Sequence, residues 1–184
     1  MTYAEIVIFE LLPKVSFYSI KYEGEEKSEA NKFFERFARD ENRQNQVKAF
    51  VKTLRKMGEI TGASDFYFDR PEGFISALPS KKGTKLDDLS KDGVYDFDLR
   101  LFWYKLSPTV FVLFNGGIKS SEKLQDSPDL YPAKFRAAEK AAKLIVAVIF
   151  RVQHTLYFFM LHFLNLDSLL LKKIARNFHF ATMQ

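Results

Sequence analysis

Every glycine and proline of this chain lies at or before Pro132, and the 52 residues after it contain neither. These two residue types supply tight turns and stop helices. The stretch that lacks them is therefore committed to continuous, helix-compatible chain, whereas the part that holds all 8 Gly and 6 Pro can be cut into short elements. Two regimes follow: a compact α+β domain over 1–143 and an apolar, helical C-terminal tail over 144–184.

With 184 residues, 47% of them hydrophobic and 20 of them Phe, the chain has enough apolar surface for one globular core, which excludes disordered and low-complexity classes. Cysteine is absent, so disulfide scaffolds, thiolate metal sites and cysteine nucleophiles are excluded. The excess of 28 Lys and Arg over 23 Asp and Glu gives a net charge of +5, which favours a polyanionic partner. Glu5, Glu10 and Lys14 are scattered through the first apolar stretch, without the charged-then-apolar order of a signal peptide, so the expected location is the cytoplasm.

Within 1–143 the β-branched and aromatic runs Ile6–Phe9 and Val15–Tyr22, split by Pro13, predict strand, turn, strand. Phe33, Phe34 and Phe37 on one side of 28–40, and Val47, Phe50, Val51, Leu54 and Met57 at helical spacing over 43–57, predict two amphipathic helices. The polar side of the second carries Arg43, Lys48, Lys52, Arg55 and Lys56. It reads either as a solvated surface or as a track for phosphates or an acidic partner.

A short apolar stretch, Phe74–Leu78, reads as a strand, and Ser80–Gly93 as a polar loop whose Lys81, Lys82, Lys85 and Lys91 either reach RNA or keep the loop solvated. Val94–Leu106, a Ser107-Pro108 turn and Thr109–Phe114 predict a hairpin ending at Asn115-Gly116-Gly117. Pro132 opens a helix in which Phe135, Ala138, Ala142, Ile145 and Ile149 keep an apolar period, so it is expected to pack across the sheet.

All three histidines, His154, His162 and His179, are in the tail, which leaves the domain without imidazole, thiol or a glycine-rich phosphate loop. His154 and His162 are eight residues apart, not the three or four that put two ligands on one helical face, so neither metal nor cofactor is expected. Asp87-Asp88 and Asp96 with Asp98 read as structural or solvent-facing carboxylates rather than an acid–base pair. What remains is Arg, Lys and Tyr near the hairpin: Arg70, Tyr95, Arg100, Tyr104, Lys105, Lys119, Lys123 and Tyr131. That inventory suits RNA cleavage, because RNA carries its own nucleophile in the 2′-hydroxyl. An enzyme need only align it, stabilise charge on the phosphorane and manage protons.

The string Tyr95-Asp96-Phe97-Asp98-Leu99-Arg100-Leu101, a second strand, and Phe114-Asn115-Gly116-Gly117-Ile118-Lys119-Ser120-Ser121-Glu122-Lys123 resemble the RelE/HigB-like toxins of bacterial type II toxin–antitoxin systems. Those proteins place a Leu-Arg or Tyr-Arg strand before a hairpin, a strand ending in Gly-x-x-Lys, a polar turn and a helix. Phe135–Ala142 supplies the helix here, while Phe68–Gly73 and Ala77-Leu78-Pro79 look like one branch of the family; the likeness spans about 25–143.

The resemblance implies a small curved antiparallel sheet packed on two or three helices, and a metal-independent endoribonuclease that cleaves mRNA on the ribosome and is silenced by a cognate antitoxin. It also implies catalytic roles: Arg100 for the phosphate and the transition-state charge, Lys119 and Lys123 for contact with or activation of substrate, Arg70 as a further catalytic group, and Tyr131, just before the helix where several family members keep a catalytic tyrosine. Lys48, Lys52, Arg55, Lys56, Lys81 and Lys82 would bind RNA. Gly116 and Gly117 would end the strand so that Lys119 can turn toward the groove. The alternative on the same scaffold is a ParE-like gyrase inhibitor or a non-catalytic binding module.

The tail departs from that pattern, since its apolar residues between Leu144 and Leu164 face every direction and predict a buried helix. Arg151, Gln153, His154 and His162 interrupt the run, which argues against a membrane span and for homodimerisation or added core. Asn165–Ser168 predicts a break before a last helix, Leu169–Phe178.

Overall fold

The structure, a computed structural model, describes residues 4–63, 71–79 and 97–163. Arg70, Tyr95, the loop lysines Lys81, Lys82, Lys85 and Lys91, the carboxylates Asp87, Asp88 and Asp96, and the expected last helix lie outside the described residues. The chain divides into two compact units, Met1–Lys143 and Leu144–Gln184.

The first unit is an α+β structure built on a curved, open sheet. Its strands are β1 (Ala4–Leu11), β2 (Ser16–Tyr22), the two-residue β3 (Pro71–Glu72), β4 (Ile75–Leu78), β5 (Leu99–Ser107) and β6 (Val110–Ile118), in the order β1-β2-β6-β5-β4-β3. Neighbours are antiparallel except β2 and β6, which run parallel. Between β2 and β3 come α1 (Glu29–Ala38) and α2 (Gln44–Arg55), the latter continuing into a wider π-helical turn over Lys56–Thr61. A third helix, α3 (Ala133–Phe163), follows β6.

The start of α1 is set by Ser28, whose hydroxyl accepts from the Asn31 N–H at 3.3 Å, with Glu29 in the first turn complementing the helix dipole. Ala30, Phe33 and Phe37 then fall on one buried face. Phe33 lies 5.1 Å from Phe37 and 5.7 Å from Phe50 of α2, ring centre to ring centre. With Leu54, Met57, Leu101, Trp103, Phe111 and Leu113 these rings form the core between the two helices and one face of the sheet. On the other face Phe102 meets Phe135 of α3 edge-on at 5.7 Å, and Ala138 and Ala142, one helical turn apart, are buried. The expected packing of this helix across the sheet is thus present in its first turns.

Four local expectations need correction. The strand expected from Val94 begins only at Leu99, because Phe97 and Asp98 lie outside it and the Asp98 carboxylate is taken by Arg43 and Gln46. The hairpin turn is Pro108-Thr109, because Ser107 still pairs with Val110. Strand β1 is longer than Ile6–Phe9 because its pairing with β2 continues to Ala4 and Leu11 around a bulge near Ile8. Strand β6 does not end at Gly116-Gly117 but runs through both to Ile118.

In the second unit the described residues are the continuation of α3. Leu144, Val148, Phe150, Val152 and Leu156 are exposed there, against the expectation of an all-round buried helix. A single helix lays only one stripe against a neighbour, so apolar residues on its other faces stay in solvent. No helix among the described residues is long and apolar enough to cross a membrane.

Candidate functional site

The candidate site lies at the end of the sheet where β5 begins and β6 finishes. Asp98, just before β5, accepts hydrogen bonds from Arg43 Nη2 at 2.8 Å, Arg43 Nε at 3.0 Å and Gln46 Nε2 at 2.9 Å. Gln46 Oε1 in turn accepts from the Leu99 N–H at 3.1 Å. The N-terminus of α2 is thereby fastened to the start of β5, and Asp98 is engaged by Arg43 rather than by Arg100. The Asp98 carbonyl also receives the Lys119 N–H at 2.7 Å, which closes the strand pair.

Arg100 stands opposite Gly117 in the β5–β6 register. Its residue is only 9% exposed, and Nη1 donates to the carbonyls of Phe97 and Leu99, each at 2.7 Å. The adjoining glycines are required by close approach. A Cβ on Gly116 would stand 1.9 Å from the Arg100 carbonyl oxygen, and one on Gly117 would stand 2.4 Å from a carboxylate oxygen of Asp129. Their role is to let β5 and Asp129 come in against β6, which is why the strand continues through them.

Lys119 Nζ donates to the Glu122 carbonyl at 2.7 Å, and Lys123, exposed, precedes a short 3-10 turn over Leu124–Asp126. The segment that follows is anchored by buried Leu124, Ser127 and Leu130. Tyr131 comes next, its hydroxyl accepting from Arg136 Nη2 at 3.2 Å and its ring 5.8 Å from that of Phe135. Arg100, Lys119 and the segment leading to Tyr131 therefore share one end of the sheet.

Asp129, in that segment, joins three elements of the structure. Its carboxylate accepts from Arg36 Nη1 at 2.9 Å, Lys134 Nζ at 2.7 Å and the Ile118 N–H at 2.8 Å. Burial works against its charged form, but those three hydrogen bonds outweigh burial and hold its pKa below the ordinary carboxylate value. Burial depresses Lys134 despite the neighbouring Asp129 carboxylate. A β6 bulge lies alongside: between the pairs Leu101–Gly116 and Trp103–Leu113 the strand carries one extra residue, and Asn115 donates to Glu29 Oε2 at 2.9 Å. Tyr22, raised by burial and then by Glu29 and Glu25, completes this neighbourhood. Arg36, Asp129 and Lys134 were not singled out from sequence; the only signal was Asp129 just ahead of the helix-opening Pro132.

The cations of α2 and of the turn that continues it come together elsewhere. Lys48, Lys52, Arg55 and Lys56 line an open groove of about 530 Å³ with Val47, Val51, Glu59 and Ile60. Among the described residues no group of three or more His, Cys, Asp or Glu is placed to hold a metal ion. No protein-family model, no curated protein and no solved structure matches the chain.

Proposed function

We propose that the protein is a toxin-type mRNA endoribonuclease that acts on ribosome-bound message in the cytoplasm and is held in check by an acidic antitoxin. The observation that carries this reading is the β5–β6 end of the sheet, where Arg100 sits opposite Gly117 and the backbone of Lys119 closes on Asp98. The order of parts is the one the RelE/HigB resemblance implies: arginine strand, hairpin, Gly-x-x-Lys strand end, polar turn, helix.

In this mechanism the substrate 2′-hydroxyl attacks the adjacent phosphorus and the 5′-oxygen leaves, giving a 2′,3′-cyclic phosphate and a 5′-hydroxyl. Arg100 and Lys119 stabilise negative charge on the phosphorane oxygens, and Lys123 contacts the backbone. Tyr131, with Arg136 against its hydroxyl, is the group on this segment able to relay a proton. To engage a phosphate, Arg100 must exchange its hydrogen bonds to the Phe97 and Leu99 carbonyls for the substrate, and Lys119 must leave the Glu122 carbonyl.

The same hydrogen bonds favour a second reading, a non-catalytic or ParE-like binding module, in which both side chains keep their backbone partners. A purified translation reaction with and without ribosomes separates the two. The nuclease reading expects mRNA fragments only when ribosomes are present. Intact message with well-folded protein supports the binding module.

A further inference from the structure

We propose that the groove along α2 docks an acidic amphipathic helix of a partner protein. The inference rests on the groove alone and holds whether or not Arg100 acts on RNA.

The floor and the rim differ in chemistry. Half-buried Val51 forms the floor beside Val47, a core residue only 7% exposed one helical turn away, and Ile60, 63% exposed, closes the far end. Around them stand Lys48, Lys52, Arg55 and Lys56, with the Glu59 carboxylate among the described lining and that of Glu10 at 3.5 Å from Arg55 Nε. An apolar strip bordered by four cations is the complement of a helix with aliphatic residues at i, i+3 or i+4 and i+7 and with carboxylates on both flanks. From Val47 to Arg55 α2 rises about 12 Å, enough for two turns of such a helix.

The far end of the groove is held in shape. The Lys14 N–H donates to the Gly58 carbonyl at 2.7 Å, and the Lys14 ammonium donates to the Ile60 carbonyl. Gly58 has no room for a side chain, since a Cβ there would lie 2.1 Å from Leu12 Cδ1. The turn that presents Ile60 is therefore held by Leu12 and Lys14, just after β1, which lowers the ordering cost of docking.

The lining also separates a protein partner from a nucleic acid. Single-stranded RNA is held by aromatic platforms beside cations, whereas among the described residues this lining is aliphatic and charged, without an aromatic ring.

The test uses the full chain and a fluorescent helical peptide of about 18 residues with leucines at i, i+4 and i+7 and glutamates on the flanks. A scrambled peptide of the same composition and a uridine oligonucleotide serve as comparison probes. The expected result is saturable binding of the amphipathic peptide, at least about tenfold tighter than the scrambled one. Added salt weakens that binding, and so does the combined Lys48→Glu and Lys52→Glu variant, both sites being exposed. Val51→Ser weakens it through the floor, while Lys140→Glu, exposed on α3, leaves it unchanged. Absence of peptide binding, equal binding of the scrambled peptide, or full affinity in the double variant would each overturn the proposal. Uridine oligonucleotide binding that is lost in the double variant, without peptide binding, would assign the groove to RNA instead.

Discussion

Ser19 has no exposed surface, and its one hydroxyl ties three elements together. It donates to the Leu113 carbonyl of β6 at 2.9 Å and accepts from the Ala30 N–H in the first turn of α1 at 3.0 Å. Ser19→Ala leaves both groups buried without this partner, and the expected loss is about 1–3 kcal/mol of unfolding free energy by denaturant titration. Asp129 adds a pH dependence. Its folded pKa is depressed, so the unfolded chain takes up the proton first and the stability it contributes is lost as pH falls through the acid range. Asp129→Asn is expected to lower stability at neutral pH and to flatten the fall in denaturation midpoint on acidification. An unchanged acid slope would contradict the assignment. Neither residue was legible in the sequence. Ser19 looks like any small strand residue, and Asp129 finds its Arg36 partner 93 positions away, where no local pattern reaches.

At the level of elements the helices were the most legible. The Phe33–Phe37 and Val47–Leu54 spacings define α1 and α2 to within a residue or two, because each helix buries one continuous apolar face. The β5–β6 hairpin was legible as an element from its β-branched and aromatic run, but neither its start at Leu99 nor its end was. Paired glycines ordinarily interrupt a strand, and only the tertiary approach of the Arg100 carbonyl and Asp129 shows why β6 needs them. Gly116→Ala therefore forces β5 and β6 apart at the candidate site. We expect a lower thermal midpoint together with faster amide exchange at Leu99–Leu101 and Gly117–Ile118, with α1 and α2 amides less affected. Protection at those strand positions equal to the unmodified protein would contradict this account. The candidate site was legible only as a set of residue types in order. That Arg100 and Lys119 rest on backbone carbonyls was not, since strand residues carry no signal of which carbonyls lie within reach.

For the whole molecule, an α+β unit is followed by a helix whose Leu144, Val148, Phe150, Val152 and Leu156 are exposed. Apolar residues gathered on one exposed helix are the usual mark of an association surface. The full chain is expected to self-associate with rising concentration in sedimentation velocity, and Val148→Glu with Val152→Glu to suppress it; concentration-independent monomer in both would remove that role from the tail. The proposed role of Arg100 at the β5–β6 end of the sheet is tested most directly by the single-turnover rate of ribosome-bound mRNA cleavage by Arg100→Ala beside the unmodified protein, with the circular dichroism of both recorded. The account predicts a loss of about 100-fold or more in rate with the fold retained, as expected when a group that stabilises developing phosphorane charge is removed. Equal rates in a folded variant would contradict it.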